Sequence, residues 1–134
     1  MKIYLGLIFG LLSVVMSAQD CMLNIGGKDK ETIIDIFQLN EEQQTKLETW
    51  SAELAVKTKL IEDQSALLFK EHPQSNEQEM NTLATKYKAY QDQMVALSKE
   101  YDSKLLALFN ERQYQRYVDL CKAAYLKPLV VSGE

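Results

Sequence analysis

The sequence predicts an all-α protein of four helices, in which a long antiparallel helical hairpin is flanked by short first and last helices gathered at one pole. Three observations predict it. No segment alternates apolar and polar residues long enough to read as a strand. Two long stretches carry apolar residues at alternating three- and four-residue spacing, the signature of helices that pack along a seam. Beyond residue 18, the residues that break helices are Gly26, Gly27, Pro73, Pro128 and Gly133, and all fall outside the periodic stretches.

Residues 1–18 read as a cleaved signal peptide. Lys2 supplies the positive start, Ile3 to Met16 runs without a charge, and Ser17-Ala18 offers the small residues a signal peptidase requires. The run is shorter than the roughly 20 apolar residues that span a bilayer. Gln19-Asp20 precede Cys21, whereas a lipid-modified cysteine directly follows small residues, so a lipoprotein is the weaker reading. Residues 19–134 then form one all-helical domain, periplasmic or secreted, with no membrane span of its own. Cleavage removes one of 15 basic residues, Lys2, and none of 19 acidic ones, so the net charge moves from −4 to −5. That balance argues against a nucleic-acid partner.

The first helix is expected over Asp29–Phe37, with Ile33, Ile34 and Phe37 on one face. The second starts at Leu39-Asn40-Glu41-Glu42-Gln43: Asn40 is a good N-cap, two glutamates suit the positive first turn, and Gln43 holds the capping-box position. It should end near Glu71, because Pro73 restricts His72. The third restarts at Ser75-Asn76-Glu77-Gln78 and continues to about Phe109. Asn110-Glu111-Arg112-Gln113 repeats the cap, with Phe109 and Tyr114 at the positions of a hydrophobic staple. The fourth carries Tyr114, Tyr117, Val118, Cys121 and Tyr125 on one face and ends before Pro128.

The seam of the hairpin is expected to use Met80, Leu83, Tyr87, Tyr90, Met94, Leu97 and Tyr101 on the third helix. On the second it would use Leu47, Trp50, Leu54, Ile61 and Leu68, with Lys57 and Gln64 as polar interruptions. Folding the chain back at residues 72–75 pairs Leu68 with Met80, Ile61 with Tyr87, Leu54 with Met94 and Leu47 with Tyr101, and sets Lys57 against Tyr90. The hairpin would be about 45–50 Å long at 1.5 Å per residue. This register brings Asn40 beside Leu108, so the two capped starts share a pole. There Gln43, Gln113 and Arg112 are the candidates for a shared polar network, each motif being in any case a good N-cap.

Catalytic chemistry has little to build on. One histidine, His72, and two cysteines, Cys21 and Cys121, do not make a His/Cys metal site, and a triad would rest on His72 alone. No cofactor is expected, and the reading is that the chain is not an enzyme. The pairs Glu42–Lys46, Glu53–Lys57 and Glu100–Lys104 read as i,i+4 ion pairs on solvated faces. Two cysteines in an exported chain favour a disulfide. One lies just before the first helix and the other on the last, both near the pole; the alternative is two thiols, with Cys121 packed as a small apolar residue. Finally, two short helices cannot cover two long ones. Val56, Leu60, Leu67 and Phe69 should therefore stay exposed, or be covered by a client or a second copy.

With these features the chain resembles the Spy/CpxP family of periplasmic stress proteins, which have a cleaved signal, four helices and two Leu-Thr-x-x-Gln motifs. The matching segments are Leu39-Asn40-Glu41-Glu42-Gln43 and Phe109-Asn110-Glu111-Arg112-Gln113; Asn stands for Thr in both, and Phe for Leu in the second. The resemblance implies a helical cradle, often dimeric, that binds unfolded proteins or restrains an envelope stress sensor. The expected function is thus an ATP-independent chaperone or envelope-stress adaptor. The alternative is a non-catalytic helical-hairpin subunit of an envelope complex.

Overall fold

The computed structural model describes residues 19–131, so the signal-peptide segment lies outside the described residues. It contains α1 (Lys30–Phe37), α2 (Glu41–Glu71), α3 (Glu77–Leu106) and α4 (Glu111–Ala123). Two two-residue strands, β1 (Asp20–Cys21) and β2 (Lys127–Pro128), pair in parallel and tie the two ends of the described chain together. The fold is the expected all-α hairpin; the strand pair was not foreseen. α3 stops at Leu106 rather than Phe109, and α4 stops before Tyr125. Tyr125 lies beyond the helix at φ 58° and is 90% exposed, so it is not part of the packed face of α4.

Local chemistry sets the helix limits. Asn40 and Asn110 each accept the N–H of the glutamine three residues on, and each glutamine's Oε1 accepts the asparagine N–H in return. α1 closes on Gln38 in the left-handed region, from which Gln38 N–H reaches the carbonyl of Ile34. His72, held extended before Pro73, ends α2. Asn76 caps α3 by accepting the Glu79 N–H, while the Glu79 carboxylate accepts the Ser75 N–H at 2.8 Å.

The seam is built differently on α2 than its apolar residues predict. Leu47, Ser51, Leu54 and Ser65 are buried, and Thr58, Ile61 and Leu68 are half-buried. Large residues at 47, 54, 61 and 68 thus alternate with small ones at 51, 58 and 65. Facing them on α3 are Leu83, Tyr87, Tyr90, Met94, Leu97 and Tyr101, all at least half-buried. The bulk of the α3 side chains is what the small α2 positions accommodate. Trp50, Lys57 and Gln64 are each displaced by one residue to the flank. Met80, expected in the seam, is 47% exposed at the tip. Contacts across the hairpin join Glu53 and Lys57 to Tyr101, and Phe69 to Tyr87 (rings 4.9 Å apart), so Lys57 lies over Tyr101 rather than Tyr90.

The core sits at the pole, where Ile33, Phe37, Leu39, Leu47, Leu54, Tyr101, Leu105, Leu106, Tyr117 and Cys121 are buried together. The segment before α1 completes it. Residues Asn24–Gly27 form a turn closed by Gly27 N–H on the Asn24 carbonyl, and Ile25 in that turn is fully buried. The turn lies on the flank of α2 and α3 next to Leu54 and Ser98. Gly26 packs closely there: a Cβ would come within 2.7 Å of the buried Leu54 side chain, which would have to shift.

What holds the turn is a buried carboxyl group. Asp102, with no exposed surface, accepts the N–H groups of Leu23 (2.7 Å), Asn24 (3.0 Å) and Ile25 (3.1 Å). Three converging backbone donors form an anion-binding nest. The Cys21–Cys121 disulfide adds a covalent tie across 100 residues of sequence. Tyr117 adds a third tie: its hydroxyl donates to the Cys21 carbonyl (2.6 Å) and accepts the Leu129 N–H (2.9 Å).

Two predictions follow from these ties. Breaking the disulfide by Cys121→Ser should cost about 2–5 kcal/mol in urea unfolding, since the closed loop is long. Asp102→Asn should cost about 1–3 kcal/mol at neutral pH, because one amide oxygen cannot satisfy three donors. Burial pushes the Asp102 carboxyl above its ordinary 3.8, against the pull of the three N–H groups. A carboxyl raised on folding contributes stability that is complete below the unfolded value and lost as pH rises through the folded one. The stability gap between wild type and Asp102→Asn should therefore widen as the pH is lowered from neutral toward 3.8. Unfolding curves of both proteins along that range check it.

Candidate interaction surface

Two features stand out as candidates: the paired motifs at the pole and the apolar residues left uncovered along α2.

At the pole the two capping glutamines meet. Gln43 Nε2 donates to Gln113 Oε1 (2.8 Å) and Gln113 Nε2 donates to Gln43 Oε1 (2.9 Å). Each amide has a second N–H, which Gln43 gives to the Leu108 carbonyl (2.8 Å) and Gln113 to the Phe37 carbonyl (3.0 Å). Each Oε1 also accepts the N–H of its own cap residue, Asn40 or Asn110. The two glutamines are buried, and every amide hydrogen and oxygen in the pair has a partner. Their side chains thus join four chain segments: the end of α1, the start of α2, the α3–α4 link and the start of α4. Leu39 is buried beneath this knot, and Phe109 packs its ring 5.0 Å from that of Phe37. Arg112 stands apart: it is exposed and lines a shallow cleft with Asp35 and Arg116. The motif pole is thus a satisfied, closed network with the geometry of a structural lock.

Along the hairpin the picture reverses. Val56 is 63% exposed, Leu60 59%, Leu67 50% and Phe69 44%. At 100° per residue, Val56, Leu60 and Leu67 lie within about 40° of one another, on the side of α2 facing away from the seam. Phe69 does not join them. It points to the other edge, where its ring meets Tyr87. The four residues grouped by sequence therefore divide into a three-residue outer stripe and one residue at the tip. The stripe is interrupted by Asp63, which is ion-paired to Lys59 (2.5 Å). Met80 and Val95 on α3 are further exposed apolar residues, at 47% and 59%.

The charged faces also differ from expectation. The i,i+4 bridges formed among the described residues are Lys59–Asp63 and Lys88–Asp92. The lysines of the expected pairs turn elsewhere: Lys46 and Lys104 lie over the Trp50 ring, and Lys57 and Lys104 over the Tyr101 ring. A lysine stem packed on a ring buries apolar area while its ammonium keeps water, which a solvated carboxylate pair does not offer. Sequence reasoning missed this cluster, and it missed Asp102. The signal for the first was Trp50, the chain's one tryptophan, with lysines at neighbouring helix positions.

Comparison with family models, with curated proteins and with solved structures returned no match for the chain. Among the described residues, no helix is long and apolar enough to cross a membrane.

The glutamine pair is testable as a unit. Gln43→Ala and Gln113→Ala should each cost about 1–3 kcal/mol, because each leaves buried carbonyl and amide groups unpaired. The double variant should cost clearly less than the two singles together, since the second truncation removes a group the first has already orphaned. A double-mutant cycle from urea unfolding measures that coupling.

Proposed function

We propose that the chain acts without catalysis, as an exported chaperone or envelope-stress adaptor that binds unfolded or partner proteins through apolar helix surface. The observation that carries this reading is the outer stripe of α2. Val56, Leu60 and Leu67 are large apolar side chains, each half or more exposed, aligned on one helix face that no other described element covers. Burying side chains of this kind is worth about 1.5–3 kcal/mol each. Three of them support weak, multi-site binding of the sort an ATP-independent holdase needs. The rigid, fully bonded pole complements it, since the surface is presented by helices anchored at one end only.

The disulfide supports an oxidising compartment. Export by a cleaved signal rests on residues 1–18 of the sequence. The two capped motifs on which the resemblance to the Spy/CpxP family rests meet at one pole, through the glutamine of each. A structural subunit of an envelope complex is the competing reading, in which the same stripe would be a permanent interface.

The experiment replaces Leu60 and Leu67 by Ser. The variant should remain folded, with a melting temperature within a few degrees of wild type, because neither side chain contributes to the core. It should suppress aggregation of a chemically unfolded protein much less well than wild type. Full activity in the folded variant would move client binding elsewhere. Unfolding of the variant would show that the stripe is part of the core.

A further inference from the structure

The lysine–aromatic cluster on the flank of the hairpin is not used by the reading above. Trp50 is half-buried, one residue off the seam. The ammonium groups of Lys46 and Lys104 lie 5.8 and 5.9 Å from the centre of its ring. Directly alongside, Lys104 and Lys57 lie 4.4 and 5.0 Å from the centre of the buried Tyr101 ring. Three ammonium groups thus gather around two adjoining rings. Among the described residues none of the three forms a direct ion pair, although Glu42, Glu53 and Glu100 each stand four residues before one of them; a hydrogen bond to Tyr101 and the nearby Glu100 and Glu53 carboxylates raise the Lys57 pKa. Glu53 is engaged otherwise, its carboxylate accepting the Tyr101 hydroxyl at 3.1 Å.

The setting makes the cluster unusual in this molecule. The chain carries more acidic than basic residues, so its overall field repels an acidic partner. The opposite flank of the hairpin is occupied at the pole end by the Asn24–Gly27 turn beside Leu54 and Ser98. The Trp50 flank offers two half-buried apolar side chains, Trp50 and Leu97, rimmed by the three ammonium groups, with the Glu53 and Glu100 carboxylates acting on Lys57 from the same rim. A lysine over a ring is held by a weak attraction, about 0.5–1 kcal/mol at exposed sites. A carboxylate arriving from a partner forms a stronger, charge-assisted contact with the same ammonium.

We propose that this flank docks an acidic segment of a partner polypeptide: its carboxylates pair with Lys46, Lys57 and Lys104, and an adjacent apolar side chain packs on Trp50. The site goes beyond the outer stripe of α2, which lies on a different face, and the two stand or fall separately.

Trp50 is the chain's one tryptophan, so its fluorescence reports on this site alone. The mature, disulfide-bonded protein is titrated with a tryptophan-free peptide alternating Glu and Leu. The expected result is a saturable change in Trp50 emission that weakens as salt is raised, since exposed ion pairs are screened. The counterpart peptide with Lys in place of Glu should give no saturable change. Lys104→Gln should weaken binding about tenfold, the equivalent of one charge-assisted contact. Lys46→Gln should weaken it too, and Lys59→Gln, on the far flank, should leave it unchanged. Leu60→Ser/Leu67→Ser should also bind the peptide normally, which separates failure here from failure of the stripe. The proposal is overturned if both peptides act alike, or if Lys59→Gln weakens binding as much as Lys104→Gln. It is equally overturned if the acidic peptide gives no saturable change, including the case in which phosphatidylglycerol vesicles alone shift the emission. Should Lys104→Gln misfold by circular dichroism, Lys46→Gln decides, its side chain being exposed.

Discussion

Two helices of 31 and 30 residues share one seam, and the helices available to cover their other faces have 8 and 13 residues. That mismatch in length governs the molecule. A helix of 30 residues is about 45 Å long and one of 8 about 12 Å, so full cover is geometrically out of reach. The chain meets this by concentrating its cover at one pole. There it buries nearly all of its core, while the distal half of the hairpin keeps one packed seam and several open faces.

Stability must then be made locally at the pole, and the polar groups there show how. Asp102 fixes the N-terminal turn through three backbone N–H groups. Gln43 and Gln113 lock the two helix starts through a reciprocal amide pair. Tyr117 and the Cys21–Cys121 bridge tie both ends of the described chain to α4. Each device is directional as well as cohesive. A purely apolar pole would hold four segments together without fixing their register, whereas each buried donor and acceptor is satisfied in only one arrangement.

Much of this was legible in the sequence, and what was hidden was hidden for physical reasons. The α3 stripe was readable because its large apolar residues recur without interruption. The α2 stripe was misread by one residue at every second position. Hydrophobicity drew attention to Trp50, yet the seam beside Tyr87, Tyr90 and Tyr101 needs small side chains, and Ser51, Thr58 and Ser65 are small before they are polar. The caps at Asn40 and Asn110 were visible from local rules, and folding the chain back placed them at one pole. The mutual bonding of Gln43 and Gln113 was not visible, because it depends on tertiary approach. Asp102 left no trace at all: its partners are backbone N–H groups, which any sequence supplies. The expected carboxylate–lysine pairs did not form, and the lysine ammonium groups lie over aromatic rings instead.

The open faces remain the feature that needs a purpose, since a folded chain that leaves Val56, Leu60 and Leu67 uncovered has a surface suited to other polypeptides. The most direct measurement is hydrogen exchange of the disulfide-bonded protein, alone and with a chemically unfolded client. If the outer stripe is the binding surface, added protection should appear across residues 56–67 of α2, with the pole unchanged. Protection confined to the pole, or suppression of aggregation with no change along α2, would contradict it.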